Sequence, residues 1–137
     1  MSAEFLRFGG VIHAIILRAA ADSKAGIEFF TPPEFSQQLA LMSHPAGKAI
    51  APHFHNPVPR EVLFTQEALF IRRGRLRVDF YGPDLRPLGS SELGPGDVIL
   101  LASGGHGFEA LEDVEMVEVK QGPYAGDSDK TRFNPMR

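Results

Sequence analysis

The chain has 137 residues, of which 43% are hydrophobic and 23% charged, with a net charge of -3 and no cysteine. This is the balance of an ordinary water-soluble globular chain, long enough for one domain with its own core. It excludes disulfides, thiolate metal sites and cysteine nucleophiles, and with no basic run it gives no nucleic acid partner.

The 14 glycines and 11 prolines are spread along the whole length and cut the sequence into short pieces rich in Val, Ile, Leu and Phe. That punctuation predicts strands joined by turns. In chain order they are expected at 11–18, 27–31, 38–44, 49–55, 68–73, 76–81, 97–101, 107–111 and 115–120. Helix is expected only as a turn at 33–37 and a short piece at 19–24. The first apolar run, Val11 to Leu17, falls well short of the ~20 residues that cross a bilayer. It also lacks a signal-peptide pattern, so the reading is cytoplasmic, without a membrane partner. No internal repeat is visible, and many short strands with Gly and Pro turns read as an antiparallel sandwich or barrel.

Both alternating faces of Ala68-Leu69-Phe70-Ile71 are apolar, so this strand needs cover on both sides. Either the N-terminal segment of about 35 residues supplies it, or a second copy does. A homodimer is the expectation.

The candidate chemistry lies on four residues. His53 and His55 are one residue apart, and on a strand they point to the same side. Glu67 opens the strand at 68–73, and His106 stands among Gly104, Gly105 and Gly107. Neutral imidazole suits transition metals and a carboxylate adds charge, so these types together read as a nitrogen and oxygen metal site. His13 and His44 stand alone and read as ordinary core or surface residues.

Other residues carry two readings each. Arg60, in a stretch stiffened by Pro57 and Pro59, is either an anion contact or a surface partner of Glu61. Glu118 and Lys120 alternate with Val117 and Val119. The charged pair enters the interior if the valines face out, and is solvated if they face in. Tyr124 closes the rim after Gly122-Pro123 or simply packs, and Arg72, Arg73, Arg75 and Arg77 around Gly74 greet an anion or decorate a hairpin tip. Gln66 is either a hydrogen-bond donor supporting its neighbour Glu67 or, as the adjacent strand residue, faces away from it, and the last residues, 127–137, form a surface strap or loose tail.

The spacing Gly47, five residues, His53-x-His55, then Glu67, six residues, Gly74, followed by Gly96-Asp97 and His106, resembles the two motifs of the cupin superfamily over about residues 38–120. The resemblance implies an all-β, antiparallel double-stranded β-helix, a jelly-roll barrel. It implies a single domain over 1–137, with the barrel at about 38–121, N-terminal strands in 1–37 and a C-terminal strap at 122–137. It also implies one divalent transition metal (Fe, Mn, Ni, Zn or Cu) on His53, His55, Glu67 and His106. Eleven residues separate His55 from Glu67 where the family usually has only a few. Residues 56–66 therefore read as an inserted loop, and Glu61 becomes a rival ligand.

The expected function is a metal-dependent enzyme, a dioxygenase or isomerase, acting on a small polar or anionic molecule that Arg60, Lys120 and Tyr124 would bind. One alternative is a non-catalytic small-molecule or metal-binding cupin, a sensor or carrier. Another is a metal-free barrel of the sugar-nucleotide epimerase kind, with His55 or His106 as base and Tyr124 or Tyr81 as acid.

Overall fold

Where a short apolar run meets a turning residue a strand ends, and the computed structural model, which describes residues 3–136, has ten of them. They are β1 (Ala3–Phe8), β2 (Val11–Leu17), β3 (Gly26–Phe29), β4 (Ala40–Ser43), β5 (Glu67–Arg73), β6 (Leu76–Tyr81), β7 (Pro87–Leu93), β8 (Val98–Leu101), β9 (Gly105–Ala110) and β10 (Glu115–Lys120). One 3-10 turn follows at Gly126–Asp129. The chain ends at 1–2 and 137, which the expected domain includes, lie outside the described residues. No helix among the described residues is long and apolar enough to cross a membrane.

All pairings are antiparallel. A five-stranded sheet runs β1-β2-β8-β5-β10, a three-stranded sheet runs β7-β6-β9, and β3-β4 form a two-stranded sheet of their own. The sheets do not close into a barrel. Ala14, Ile16, Leu69, Ile71, Ile99 and Leu101 from the first sheet meet Leu76, Val78, Phe80 and Leu93 from the β6–β7 side in one buried cluster. This is a sandwich core built from alternate residues.

The five-stranded sheet is also buried on its far face at Ile15, Leu100 and Ala68, which is why β2 and β8 read as continuous apolar runs. Gln66 faces away from Glu67 and anchors the chain on that side. Its Oε1 accepts from the Gln37 N–H at 3.1 Å and from the Ser36 hydroxyl at 3.3 Å. The cover stops there, and Phe70, Val117 and Val119 on the same far face stay exposed.

Several elements differ from the sequence reading. Residues 49–55 form no strand and 19–24 no helix; the latter begin with a turn closed by the Ala21 N–H on the Arg18 carbonyl, 3.0 Å. A strand needs a neighbour, and among the described residues nothing pairs with 49–55. β1 and β7 form although neither alternates cleanly. β7 (PLGSSEL) is an exposed edge strand held by its backbone to β6. β1 carries a register shift between Leu6, opposite Ala14, and Arg7, opposite Ile12. The residue skipped is His13, a bulge whose ring packs edge-on against Phe8 at 5.1 Å and is buried. His13 is thus a core residue.

Two turns fix the frame. At Asp97 the buried carboxylate accepts from the Ala19 N–H at 2.8 Å, the Gly94 N–H at 2.8 Å and Arg18 at 3.2 Å, tying the β7–β8 turn to the end of β2. At Gly74, φ is +82°, and a Cβ there would lie 1.9 Å from the Asp113 carbonyl oxygen. Only glycine lets the β5–β6 hairpin lie against that backbone.

Candidate functional site

Glu67 is the first residue of β5, on the core side of the sheet with Leu69 and Ile71. Antiparallel register puts Lys120 opposite it and Glu118 opposite Leu69, so both charged residues of β10 share the core side, and Val117 and Val119 face outward. Of the two readings open for β10, the charged face is the one turned toward the site. From the other sheet, β9 pairs His106 with Phe80 and Phe108 with Val78, which places both on the core side as well.

The two sheets therefore bring Glu67 and His106 together. His106 Nε2 lies 3.0 Å from Glu67 Oε1, with the carboxyl buried and the imidazole half-buried. The hydrogen bond from His106 holds the Glu67 carboxyl well below its ordinary 4.5, at about 2, with help from the charge of Lys120 and against the cost of burial. Glu118 is pushed the other way, chiefly by its hydrogen bond to Glu67 and then by burial. An ionised carboxylate only accepts, so His106 presents Nε2–H to Glu67, and in the neutral ring Nδ1 carries the lone pair.

The pair opens on a cleft of about 1440 Å³ whose lining includes Arg60, Tyr81, Glu118 and Lys120, with Lys130 and Arg132 from the C-terminal strap. The strap is fixed by Phe133, edge-on to Tyr81 at 5.4 Å, by a bond between Thr65 and Asp129, and by the Met136 N–H on the Leu85 carbonyl at 2.8 Å. Among the described residues, none of the four cations Arg60, Lys120, Lys130 and Arg132 forms an ion pair, and Arg60 reaches only the Val58 carbonyl at 3.5 Å. Away from the cleft, arginines are taken up by carboxylates: Arg72 and Arg73 by Glu115, Arg75 by Glu92 at 2.8 Å, Arg77 by Asp79 at 2.8 Å and Glu109 at 2.7 Å. The cluster around Gly74 is thus a hairpin surface neutralised within the protein.

The remaining sequence candidates lie elsewhere. His53 and His55 are exposed, stack edge-on at 5.1 Å and are not part of the cleft lining; His53 Nδ1 faces the Ala51 carbonyl at 2.9 Å. Glu61 is exposed on the same stretch. Tyr124 is 92% exposed, beside a neighbouring depression shared with Lys120 and Lys130. Lys130 and Arg132 are the site residues that sequence reasoning missed. They sit in the polar C-terminal run, and only the strap's return to the cleft gives them a role.

The four expected metal ligands can be tested against this geometry. Two cis donors of one ion, each about 2.1 Å from it, stand about 3 Å apart, and Glu67 Oε1 and His106 Nε2 have that separation. This half of the set fits. The other half is not brought to them within one copy: His53 and His55 are exposed and are not among the residues lining the cleft, and among the described residues no three His, Asp or Glu side chains gather into a metal-holding group. Compared with protein-family profiles, curated proteins and solved structures, the chain matches none of them.

Proposed function

We propose that the chain is a jelly-roll, cupin-like enzyme that moves a proton on a small anionic molecule bound in the cleft between β9 and β10. The observation that carries this reading is the Glu67–His106 pair at 3.0 Å, facing a cleft whose cations Arg60, Lys120, Lys130 and Arg132 form no ion pair among the described residues. A carboxylate that fixes an imidazole's orientation and tautomer makes its second nitrogen an aimed base. His106 Nδ1 takes a proton from a carbon next to a carbonyl, and the C–H electron pair moves onto the carbonyl oxygen. Lys120 and the strap cations offset the charge that develops there. Tyr81, held edge-on by Phe133, supplies the hydroxyl that returns a proton, which makes the net reaction an isomerisation or epimerisation.

The test is solvent exchange. Small carboxylates and phosphates that raise the melting temperature would be incubated with the protein in D2O and followed by NMR for loss of a carbon-bound proton. Deuterium incorporation that is abolished in His106→Gln and reduced in Glu67→Gln is the expected result. Stabilisation by ligands without exchange in any case would replace the enzyme with a carrier or sensor.

A second reading, metal binding, is favoured by one specific observation, the cis-donor separation of Glu67 and His106. Elemental analysis of protein purified without a histidine tag tests it, with Glu67→Gln/His106→Ala as the control that should lose the metal.

A further inference from the structure

The sandwich is open on one side. β9 and β10 are both edge strands, and the cleft lies between them. Phe108 is on the core side, opposite the fully buried Val78, and yet is 41% exposed. Glu118 and Lys120, on the core side of β10, are exposed too. That side is crossed only by residues 58–65 and the C-terminal strap, and no strand lies between β9 and β10 among the described residues.

Material of the right kind lies outside. Residues 44–65 are exposed throughout and contain no strand. Ile50, Phe54, Val58, Val62, Leu63 and Phe64 are all exposed there, Phe54 at 96%. Among the described residues no backbone group of 49–65 pairs with another backbone group. The β3–β4 hairpin that leads into this arm is a separate sheet with Ile27, Phe29 and Met42 exposed. A linker that stays in water is poor in large apolar residues; this segment is rich in them and is too long for a plain connection.

We propose that two copies of the chain exchange this arm, so that residues 49–55 of one copy close the open side of the other and bring His53 and His55 against the Glu67–His106 pair of the second copy. What the completed site then holds rests on the metal-binding reading above. Laid down as a strand, the arm puts His53 and His55 on one face and Ile50 and Phe54 on the other. Pro52 has no N–H, which suits an edge strand that bonds its neighbour through 51, 53 and 55 only. Side chains directly opposite on adjacent strands approach to about 5 Å, which places imidazoles on an added strand beside the single imidazole of β9, His106. Each copy has an open side without a strand and a segment, 49–55, without a strand neighbour among the described residues, and a two-fold exchange supplies both. The arm's own cleft is not its destination. Its trailing residues Val58, Arg60 and Val62 to Thr65 already run along that cleft, and the leading residues 53 and 55 lie beyond it.

Two readouts test this. The first needs no metal: 14N- and 15N-labelled chains are unfolded and refolded together and treated with an amine cross-linker, which reads Lys48 at the arm's root against Lys120 and Lys130 at the cleft. Mixed-isotope links in a dimer are expected; a monomer in sedimentation, or same-isotope links alone, would overturn the exchange. The second uses cobalt(II) as the probe, read from its visible spectrum. His53→Ala/His55→Ala and Glu67→Gln/His106→Ala should each bind none, and an equal refolded mixture should recover about a quarter of the wild-type cobalt per chain, since half the dimers are mixed and one of their two sites is whole. Cobalt binding by the wild type with no recovery in the mixture would place the site within one chain and overturn the proposal. Mixed-isotope links with no cobalt uptake by the wild type would support the exchange and remove the metal reading alone.

Discussion

Lys120 stands directly across the β5–β10 ladder from Glu67, and this cross-strand pairing brings a cation to a carboxylate 53 positions away in the chain. The same ladder carries Glu118 to Glu67, and the facing sheet supplies His106. Three elements distant in sequence thus set the charge state of one side chain.

The His106 ring should be protonated at Nε2 in the neutral form, because an ionised Glu67 only accepts. Long-range 1H–15N correlation spectra at about pH 8 should show the Nε2–H tautomer in the wild type and a mixture in Glu67→Leu. An Nδ1–H tautomer in the wild type would mean that the contact is made differently.

Acid should act on the two carboxyls in opposite senses. Glu67 titrates at about 2 in the fold against an ordinary 4.5, so its stabilisation is fully present above 4.5 and is lost as the pH falls toward 2. Glu118 is raised, so its contribution is present at low pH and is lost as the pH rises through its folded value. Urea unfolding should therefore show Glu67→Gln less stable than wild type, by on the order of 2 kcal/mol near pH 7, with the gap closing near pH 2. Glu118→Gln should be neutral or slightly stabilising near pH 7. A pH-independent gap for Glu67→Gln would point to lost packing.

Removing the Asp97 carboxylate strands the Ala19 and Gly94 N–H groups and the Arg18 guanidinium together. Asp97→Ala should cost about 3 kcal/mol in chemical denaturation, the scale for breaking a buried charged network. Asp97→Asn, which keeps an acceptor, should recover part of that.

Gly74 and Gly47 share a left-handed backbone but differ in space: a Cβ at 47 meets nothing, and at 74 it meets the Asp113 backbone. Gly47→Ala should cost about 1 kcal/mol and Gly74→Ala about 3 kcal/mol or more. Equal costs would show that the strand-end contact at 113 yields easily.

The strap cations should matter to anions alone. Lys130→Ala/Arg132→Ala should weaken the thermal stabilisation given by pyrophosphate about tenfold in apparent affinity and leave the melting temperature without ligand nearly unchanged. Unaltered pyrophosphate binding would remove these two residues from the cleft's function.

Local pattern alone determined that the chain is β-rich and where β2, β5, β6, β8, β9 and β10 lie within a residue or two, because alternation and glycine turns are short-range properties. The choice of Glu67 and His106 rested on the resemblance of their spacing to the two cupin motifs. What the sequence left open was decided by which strands became neighbours. The pairing of β10 with β5 settled that Glu118 and Lys120 face the site, where the sequence allowed either face. It took pairing with β6 and β2 to make strands of β7 and β1, whose own patterns are weak. Residues 49–55 show the converse: they have the alternation of a strand but no strand neighbour among the described residues, and hydrogen bonds between strands require two partners. His53 and His55 therefore stand outside the cleft, and Lys130 and Arg132 stand inside it because the strap returns across the open side.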